Sequence, residues 1–285
     1  SPYTLDELPV GEYLAVFQAP GRETARVPFL LEADRRARCN AWLPLIGAGP
    51  DEFVLAHGWT PDQTEPFWIL DREVTVAEYF EFLNDPAVRA EIDASEAPIR
   101  VPRLGGVGYV GEDGVGRLIP DPEWLPEWPI LGVSWDDAMA YAAWRTERAH
   151  AAGEPFTFSL PTGVDQQAAW GQVRQKVFPF GWTFRPAWVS SNYSTPKPAP
   201  ERVLSYPVDE SVLGVFDLAG SVSEWMDEWW VEEKGHRRLY GGSWGHGGKI
   251  FHEMFGWSGY NGMSPLSTSG TLGFRLVVRP ERAAF

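Results

Sequence analysis

The chain of 285 residues has one cysteine, Cys39, so neither an intrachain disulfide nor a cysteine-rich zinc site can form. No apolar run reaches the length of about 18 residues that a transmembrane helix needs, so no membrane insertion is expected. Positive charge is also scarce: 24 Lys and Arg stand against 39 Asp and Glu, giving a net charge of −15. Such a charge repels a phosphate backbone, which argues against nucleic acid as a partner.

The cellular location stays open, with the cytoplasm favoured. No secretory leader is visible, and a single cysteine fits a reducing compartment. The chain starts at Ser1-Pro2 without Met, so we expect an upstream part in a longer protein.

What the chain does contain is aromatic and turn-forming residues. Fifteen Trp, 29 Gly and 25 Pro predict a loop-rich fold of short elements rather than a helical bundle. Most of the Trp side chains are expected to fill the core and brace irregular loops.

Three helix starts carry the capping box, a Ser or Thr followed three residues later by an acid. The pairs are Thr75 with Glu78, Ser134 with Asp137 and Thr162 with Asp165. We expect the first helix to pack through Ala77, Phe80 and Leu83, which follow at helical spacing. Residues 86–130 and 190–201 are predicted to be irregular, the first with at most a small hairpin, because Pro and Gly recur in them.

Two domains are predicted. Residues 1–45 contain two short β patterns around the turn Ala19-Pro-Gly21, which predicts a small β module. Residues 46–285 form the main domain. The small module is similar to surface-layer-type β modules that sit between a bacterial Ser/Thr kinase and a sulfatase-modifying-factor domain, so an upstream kinase or other domain is a candidate partner.

The main domain carries a series of family motifs in order. They are Arg72–Tyr79, Val133–Tyr141, Leu160–Thr162, Phe178–Trp182, Asp217–Trp225, Tyr240–Trp244 and Gly273–Arg275. Together they resemble the formylglycine-generating-enzyme (sulfatase-modifying factor) superfamily. The resemblance implies an α+β fold, a C-type-lectin-like domain of the sulfatase-modifying-factor type preceded by a small all-β module.

The resemblance also implies where catalysis would occur. Enzymes of the superfamily use two cysteines that bind copper, and those positions fall on His246 and Phe251. Imidazole and phenyl groups cannot replace a soft thiolate pair. We therefore predict no catalytic residue, no cofactor and no enzyme activity, with a divergent oxidase as the rival hypothesis.

Other metal chemistry has weaker signals. An iron-dependent branch of the scaffold needs a His-x3-His-x-Glu signature, which is absent. His246 and His252 lie six residues apart and are either surface imidazoles, the commoner case, or a metal site. The turn from Asp217 to Glu224 sometimes binds calcium in the family, with Asn where Ser221 stands here. Serine removes that carbonyl ligand and disfavours calcium, which nevertheless stays open. We expect Glu224 to accept hydrogen bonds from loop N–H groups.

Residues 245–272 are rich in Gly, Ser, Asn, Tyr, His, Phe and Thr, and the flanking segments resemble the family motifs closely. This composition resembles the variable region of proteins diversified by retroelements, which use the same fold as a ligand-binding surface; the alternative is an ordinary Gly-rich loop. Tyr, Ser, Gly and Asn are also what binding loops favour. With a binding region at about 240–275, we predict an unknown protein or other macromolecule as ligand. The predicted ligand-binding residues are His246, Lys249, Phe251, His252, Glu253, Phe255, Trp257, Tyr260, Asn261, Met263, Ser264, Ser267 and Ser269.

Overall fold

The computed structural model describes residues 4–57, 65–104, 107–171, 173–174, 176–245 and 261–279, without the side chains of residues 107, 108 and 261. Helices and strands alternate along the chain in short lengths. The helices are α1 Val76–Leu83, α2 Pro86–Ala94, α3 Trp135–Ala151 and α4 Gly163–Ala169. In these ranges no helix is both long and apolar enough to cross a membrane.

The strands are short, and most have fewer than six residues. They are β1 Gly11–Phe17, β2 Ala25–Leu31, β3 Phe53–Ala56, β4 Phe67–Leu70, β5 Arg103–Leu104, β6 Val107–Gly108, β7 Val110–Glu112, β8 Leu118–Pro120, β9 Phe158–Ser159, β10 Ser223–Val231, β11 His236–Tyr240, β12 Asn261–Met263, β13 Leu272–Gly273 and β14 Val277–Val278.

Two four-stranded sheets organise the main domain. The first has the order β3-β4-β14-β9, so a strand from the end of the chain lies between strands from its first two thirds. The second has the order β12-β11-β10-β13, with β10 antiparallel to β11 and parallel to β13. Both edge strands of the second sheet, β12 and β13, lie within the predicted binding region of about 240–275.

All three predicted capping boxes are formed. Thr75, Ser134 and Thr162 each accept a hydrogen bond from the backbone of the acid three residues on, and that acid bonds back to the cap. The predicted packing of α1 is partly wrong, because Ala77 faces solvent while Val76 and Tyr79 join Phe80 and Leu83 inside.

The prediction of an irregular stretch from 86 to 130 is also partly wrong. Helix α2 begins there at an Asp85 cap with Pro86 at its first position, and two hairpins, β5-β6 and β7-β8, follow. Asp85 before Pro86 is a standard start signal, since proline has no N–H to leave unsatisfied in the first turn. Within residues 190–201 the structure shows no helix or strand, as predicted.

The main core is built around aromatic rings that pack mostly edge to face. Tyr79, Phe82, Tyr141 and Phe274 contact one another at centroid distances of 5.2–6.2 Å. They join α1 and α3 to the strand-like segment near the end of the chain. Burial of such rings supplies much of the hydrophobic free energy of folding.

The β1-β2 hairpin packs on the main domain. Ala25 is fully buried in the main core, Glu23 accepts a 3.0 Å hydrogen bond from Nε1 of Trp68, and Arg26 donates to the carbonyl of Leu213 at 2.9 Å. The boundary between the two predicted domains, at residue 45, stays a prediction.

Candidate ligand-binding surface

Most of the predicted binding residues lie outside the described part of the chain. These are His246, Lys249, Phe251, His252, Glu253, Phe255, Trp257 and Tyr260. Of the rest, Asn261 is described by its backbone in β12, while Met263, Ser264, Ser267 and Ser269 are half-buried. Met263 packs against the main core, so only part of its side chain is accessible at the surface.

We call the part of the main domain outside residues 245–272 the frame. The loop after β12 is bound to this frame through the carbonyl groups of the loop. Trp135 N–H donates to Pro265 O at 3.0 Å, and Gly132 N–H donates to Ser269 O at 3.0 Å. The indole of Trp244 donates to Gly270 O at 2.7 Å. Since every residue has a carbonyl, these bonds do not specify which side chains the loop carries. Leu266, on the same loop, is 70% exposed.

The two tryptophans of the frame motifs differ in burial. Trp225 is fully buried and donates from its indole to Val133 O at 3.0 Å. Trp244, in contrast, is only partly buried. Its ring reaches across the end of the segment to Gly270, so it joins the two flanks of residues 245–270 instead of filling the interior.

Below this surface lies a buried ion pair. Arg275 donates to both carboxylate oxygens of Glu224 at 2.7 Å and to Phe216 O at 2.9 Å. Burial alone would lower the pKa of Arg275, but the Glu224 carboxylate outweighs it and the pKa is raised. Burial raises the pKa of Glu224, and the ion pair opposes that rise. The predicted role of Glu224 is therefore wrong in its donor: within the described chain its hydrogen-bond partner is the guanidinium of Arg275 rather than loop N–H groups.

Two other buried acids bind the loop backbone instead. Asp209 accepts from Gly220 N–H at 3.0 Å and from Ala219 N–H, while Asp217 accepts from Leu204 N–H at 2.7 Å. Burial raises the pKa of Asp217 to about 6 and raises that of Asp209 as well, although these hydrogen bonds oppose the change.

Glu73 completes the buried acidic group. It is fully buried, and among the described residues neither of its carboxylate oxygens has a hydrogen-bond partner. Its pKa is raised by burial first and by the nearby Asp217 carboxylate second, against the opposing charge of Arg275. A neutral carboxylic acid is the form that such surroundings favour.

The β10-β11 hairpin adds surface residues that the sequence prediction missed. The guanidinium carbon of Arg237 lies 3.8 Å from the ring centre of Trp135 and 3.7 Å from that of Trp229. On the other face, Arg238 lies over Trp230 and pairs with Glu228. Trp229 is 40% exposed, and Arg237 is paired in register with Met263 of β12, so this stack adjoins the predicted surface.

The residues needed for copper chemistry are not brought together. Cys39 is a free, half-buried thiol, and burial raises its pKa, which reduces the thiolate fraction that a soft metal binds. Over the described ranges, no three His, Cys, Asp or Glu side chains converge as metal ligands.

Comparison with known proteins agrees with this architecture. The chain is 30% identical over 167 residues to an inactive C-alpha-formylglycine-generating enzyme 2 of Bos taurus, covering 52% of this chain and 50% of that protein. It is 26% identical over 224 residues to a formylglycine-generating enzyme of Thermomonospora curvata, covering 75% and 64%. The chain thus spans about half to two thirds of these relatives. It also matches 116 residues of the serine/threonine-protein kinase Pkn1 of Chlamydia trachomatis at 32% identity, 40% of this chain and 16% of the kinase.

Solved structures share the fold at low identity. CarF superposes with a TM-score of 0.53 at 21% identity, covering 81% of this chain and 99% of CarF. Treponema denticola variable protein 1 superposes with a TM-score of 0.51 at 18% identity, covering 80% and 91%. The family model of the sulfatase-modifying factor enzyme 1-like domain matches residues 49–280, and the chain belongs to that family.

Proposed function

We propose that this protein is a non-enzymatic ligand-binding protein that displays side chains of residues 245–272 on a C-type-lectin-like scaffold, as the variable protein of a diversity-generating retroelement. The observation that carries the proposal is how the loop is held. In the described residues 261–271 of this segment, anchoring hydrogen bonds end on the carbonyls of Pro265, Ser269 and Gly270, so side chains there can change without removing these anchors. Gly262 is an exception, because a Cβ at this position would lie 2.5 Å from Trp230.

The chemistry of the site supports binding over turnover. His246 and Phe251 stand where the catalytic family has its copper-binding cysteines. Cys39 belongs to the segment that follows β2, and its raised pKa makes it a poor thiolate donor. One similar relative is itself named as inactive.

A structural neighbour supports the display hypothesis in particular. Treponema denticola variable protein 1 has the same fold over 80% of this chain. The composition of residues 245–272 is rich in Tyr, Ser, Gly and Asn, which supply rigid aromatic area and adaptable polar contacts in binding loops.

A sensory domain of a bacterial Ser/Thr kinase, with a fixed ligand, is the second candidate. The match to Pkn1 favours it, although that match covers 16% of the kinase. The neighbouring DNA separates the two. A near-copy of the sequence encoding residues 241–275, differing at adenines and lying beside a reverse transcriptase gene, is expected for the variable protein. A kinase domain encoded upstream in the same reading frame, without such a copy, would favour the sensor.

A library experiment tests tolerance directly. Four aromatic positions of the segment are randomised together: Phe251, Phe255, Trp257 and Tyr260. A matched library randomises four buried aromatic positions of the frame: Tyr79, Phe82, Trp225 and Phe274. Protease resistance on the yeast surface should survive in most members of the first library and in few of the second. Equal losses in both libraries would contradict a display surface.

The enzymatic alternative has its own test. The purified protein is incubated with copper, oxygen and a Cys-x-Pro-x-Arg peptide, and the peptide mass is measured. We expect no conversion of cysteine to formylglycine and no tight binding of copper(I). Conversion above a copper-only control would establish the protein as an oxidase.

A further inference from the structure

Arg237 differs from three other arginines of the described chain because its guanidinium has an ion-pair partner but no hydrogen-bond acceptor. Arg275 binds Glu224, Arg72 binds Glu78 and Arg238 pairs with Glu228. Within the described part of the chain the guanidinium of Arg237 donates no hydrogen bond, and its buried Nε has no partner. The nearest carboxylate oxygen, Oδ1 of Asp227, lies 3.6 Å from Nη1, which is too far for a hydrogen bond.

The side chain is nevertheless fixed in place. Its guanidinium carbon lies over the indole rings of both Trp135 and Trp229, at 3.8 and 3.7 Å from their centres, and we infer that the two rings cover its two faces. Trp135 is held by a hydrogen bond from its own indole to Met226 O at 3.1 Å. The arginine side chain is 15% exposed and Trp229 is 40% exposed, so the stack reaches the surface. A guanidinium with both faces covered offers its edge N–H groups to a ligand.

We propose that the Trp135–Arg237–Trp229 stack is a binding site for a carboxylate group of a ligand. A guanidinium edge binds a carboxylate with two parallel hydrogen bonds, and a planar carboxylate fits the same slot between two rings. A phosphate would bring more negative charge beside Asp227, which is itself 38% exposed. The site adjoins the surface of residues 261–269, but it does not depend on the display proposal, since its residues lie on α3, β10 and β11.

The test uses acetate as the probe and the side-chain Nε–H signals of the arginines in 15N NMR. The Arg237 signal is assigned by its loss in Arg237→Gln. We expect that signal to shift saturably with sodium acetate and not with sodium chloride at equal ionic strength. Arg238→Gln is the matched control, because Arg238 also lies on a tryptophan but already has Glu228 as a partner, and acetate binding should be unchanged in it.

A second variant distinguishes a site from a structural stack. Asp227→Asn removes the competing carboxylate and should tighten acetate binding several-fold. The absence of a saturable shift of the Arg237 signal, or an equal shift with chloride, would overturn the proposal. Binding of inorganic phosphate without binding of acetate would overturn the carboxylate assignment. Binding in Arg237→Lys is read from the indole N–H signal of Trp229, whose ring contacts the guanidinium in the parent. An unchanged melting temperature in this variant, with loss of the acetate-induced shift of that signal, would support a ligand role for the guanidinium fork.

Discussion

The buried carboxyl group of Asp217 should lower the free energy of unfolding at neutral pH, and Asp217→Asn should restore it. Burial raises its pKa to about 6, whereas an aspartic acid in water has 3.8. Asn keeps an oxygen that can accept from Leu204 N–H. Asn also tolerates the left-handed backbone at this position, where φ is 56°.

The sign and size follow from proton linkage. Because the pKa is higher in the folded state, stability from this group is fully present below pH 3.8 and is lost as the pH rises through about 6. The difference of about 2.2 pKa units corresponds to about 3 kcal/mol at 1.36 kcal/mol per unit. Asp217→Asn should therefore match the parent near pH 4 and exceed its free energy of unfolding by up to about 3 kcal/mol above pH 7.

The assay is urea denaturation followed by tryptophan fluorescence between pH 4 and pH 8, for the parent and the variant side by side. Asp113→Asn is the matched control: Asp113 also accepts backbone N–H groups, but it is exposed and those bonds lower its pKa. That control should not stabilise the protein at any pH. A difference between Asp217→Asn and the parent that is absent, or constant with pH, would refute the reasoning.

Three further outcomes are expected. Thr75→Ala and Ser134→Ala should each lower the free energy of unfolding by roughly 1 kcal/mol, because each leaves a helix N–H unsatisfied; unmoved urea midpoints would contradict this. Trp225→Ala should cost about 3–5 kcal/mol, since the ring is fully buried and leaves a cavity. Trp257→Ala and Tyr260→Ala should each change stability by less than about 1 kcal/mol yet remove ligand binding, as measured by melting curves and by binding of a selected ligand.

Local signals predicted the parts of the fold that depend on neighbours in sequence. A capping box needs two side chains three residues apart, so Thr75, Ser134 and Thr162 were predictable and are confirmed. Asp85 followed by Pro86 is also a local signal for the start of a helix. The frequent Pro and Gly residues around it favoured an irregular stretch instead, so α2 was not predicted. The exposed face of α1 was mistaken at Ala77 because alanine fits either side of a helix.

Contacts between distant segments were beyond the sequence patterns. Glu224 and Arg275 are 51 residues apart and meet only because β10 and the end of the chain share one core. Because the sequence does not reveal this pairing, Glu224 was predicted to accept hydrogen bonds from loop N–H groups. Asp209 and Asp217 accept such bonds instead. The stack at Arg237 depends on Trp135, the first residue of α3, lying against β10 and β11, which no local pattern of Trp and Arg reveals.

A side-chain substitution removes a stabilising interaction in the frame, but it leaves the anchoring hydrogen bonds of the loop of residues 264–271 in place. In the frame, Arg275 has a bidentate carboxylate partner without access to solvent, so loss of either side chain leaves a buried charge uncompensated. In the loop, the partners of Trp135 and Trp244 are main-chain carbonyls, which any residue supplies. One chain can therefore combine a frame that resists change with a surface that accepts it. Arg237 lies at the boundary, fixed by Trp135 and Trp229 of the frame, so a carboxylate contact there would persist while neighbouring side chains change.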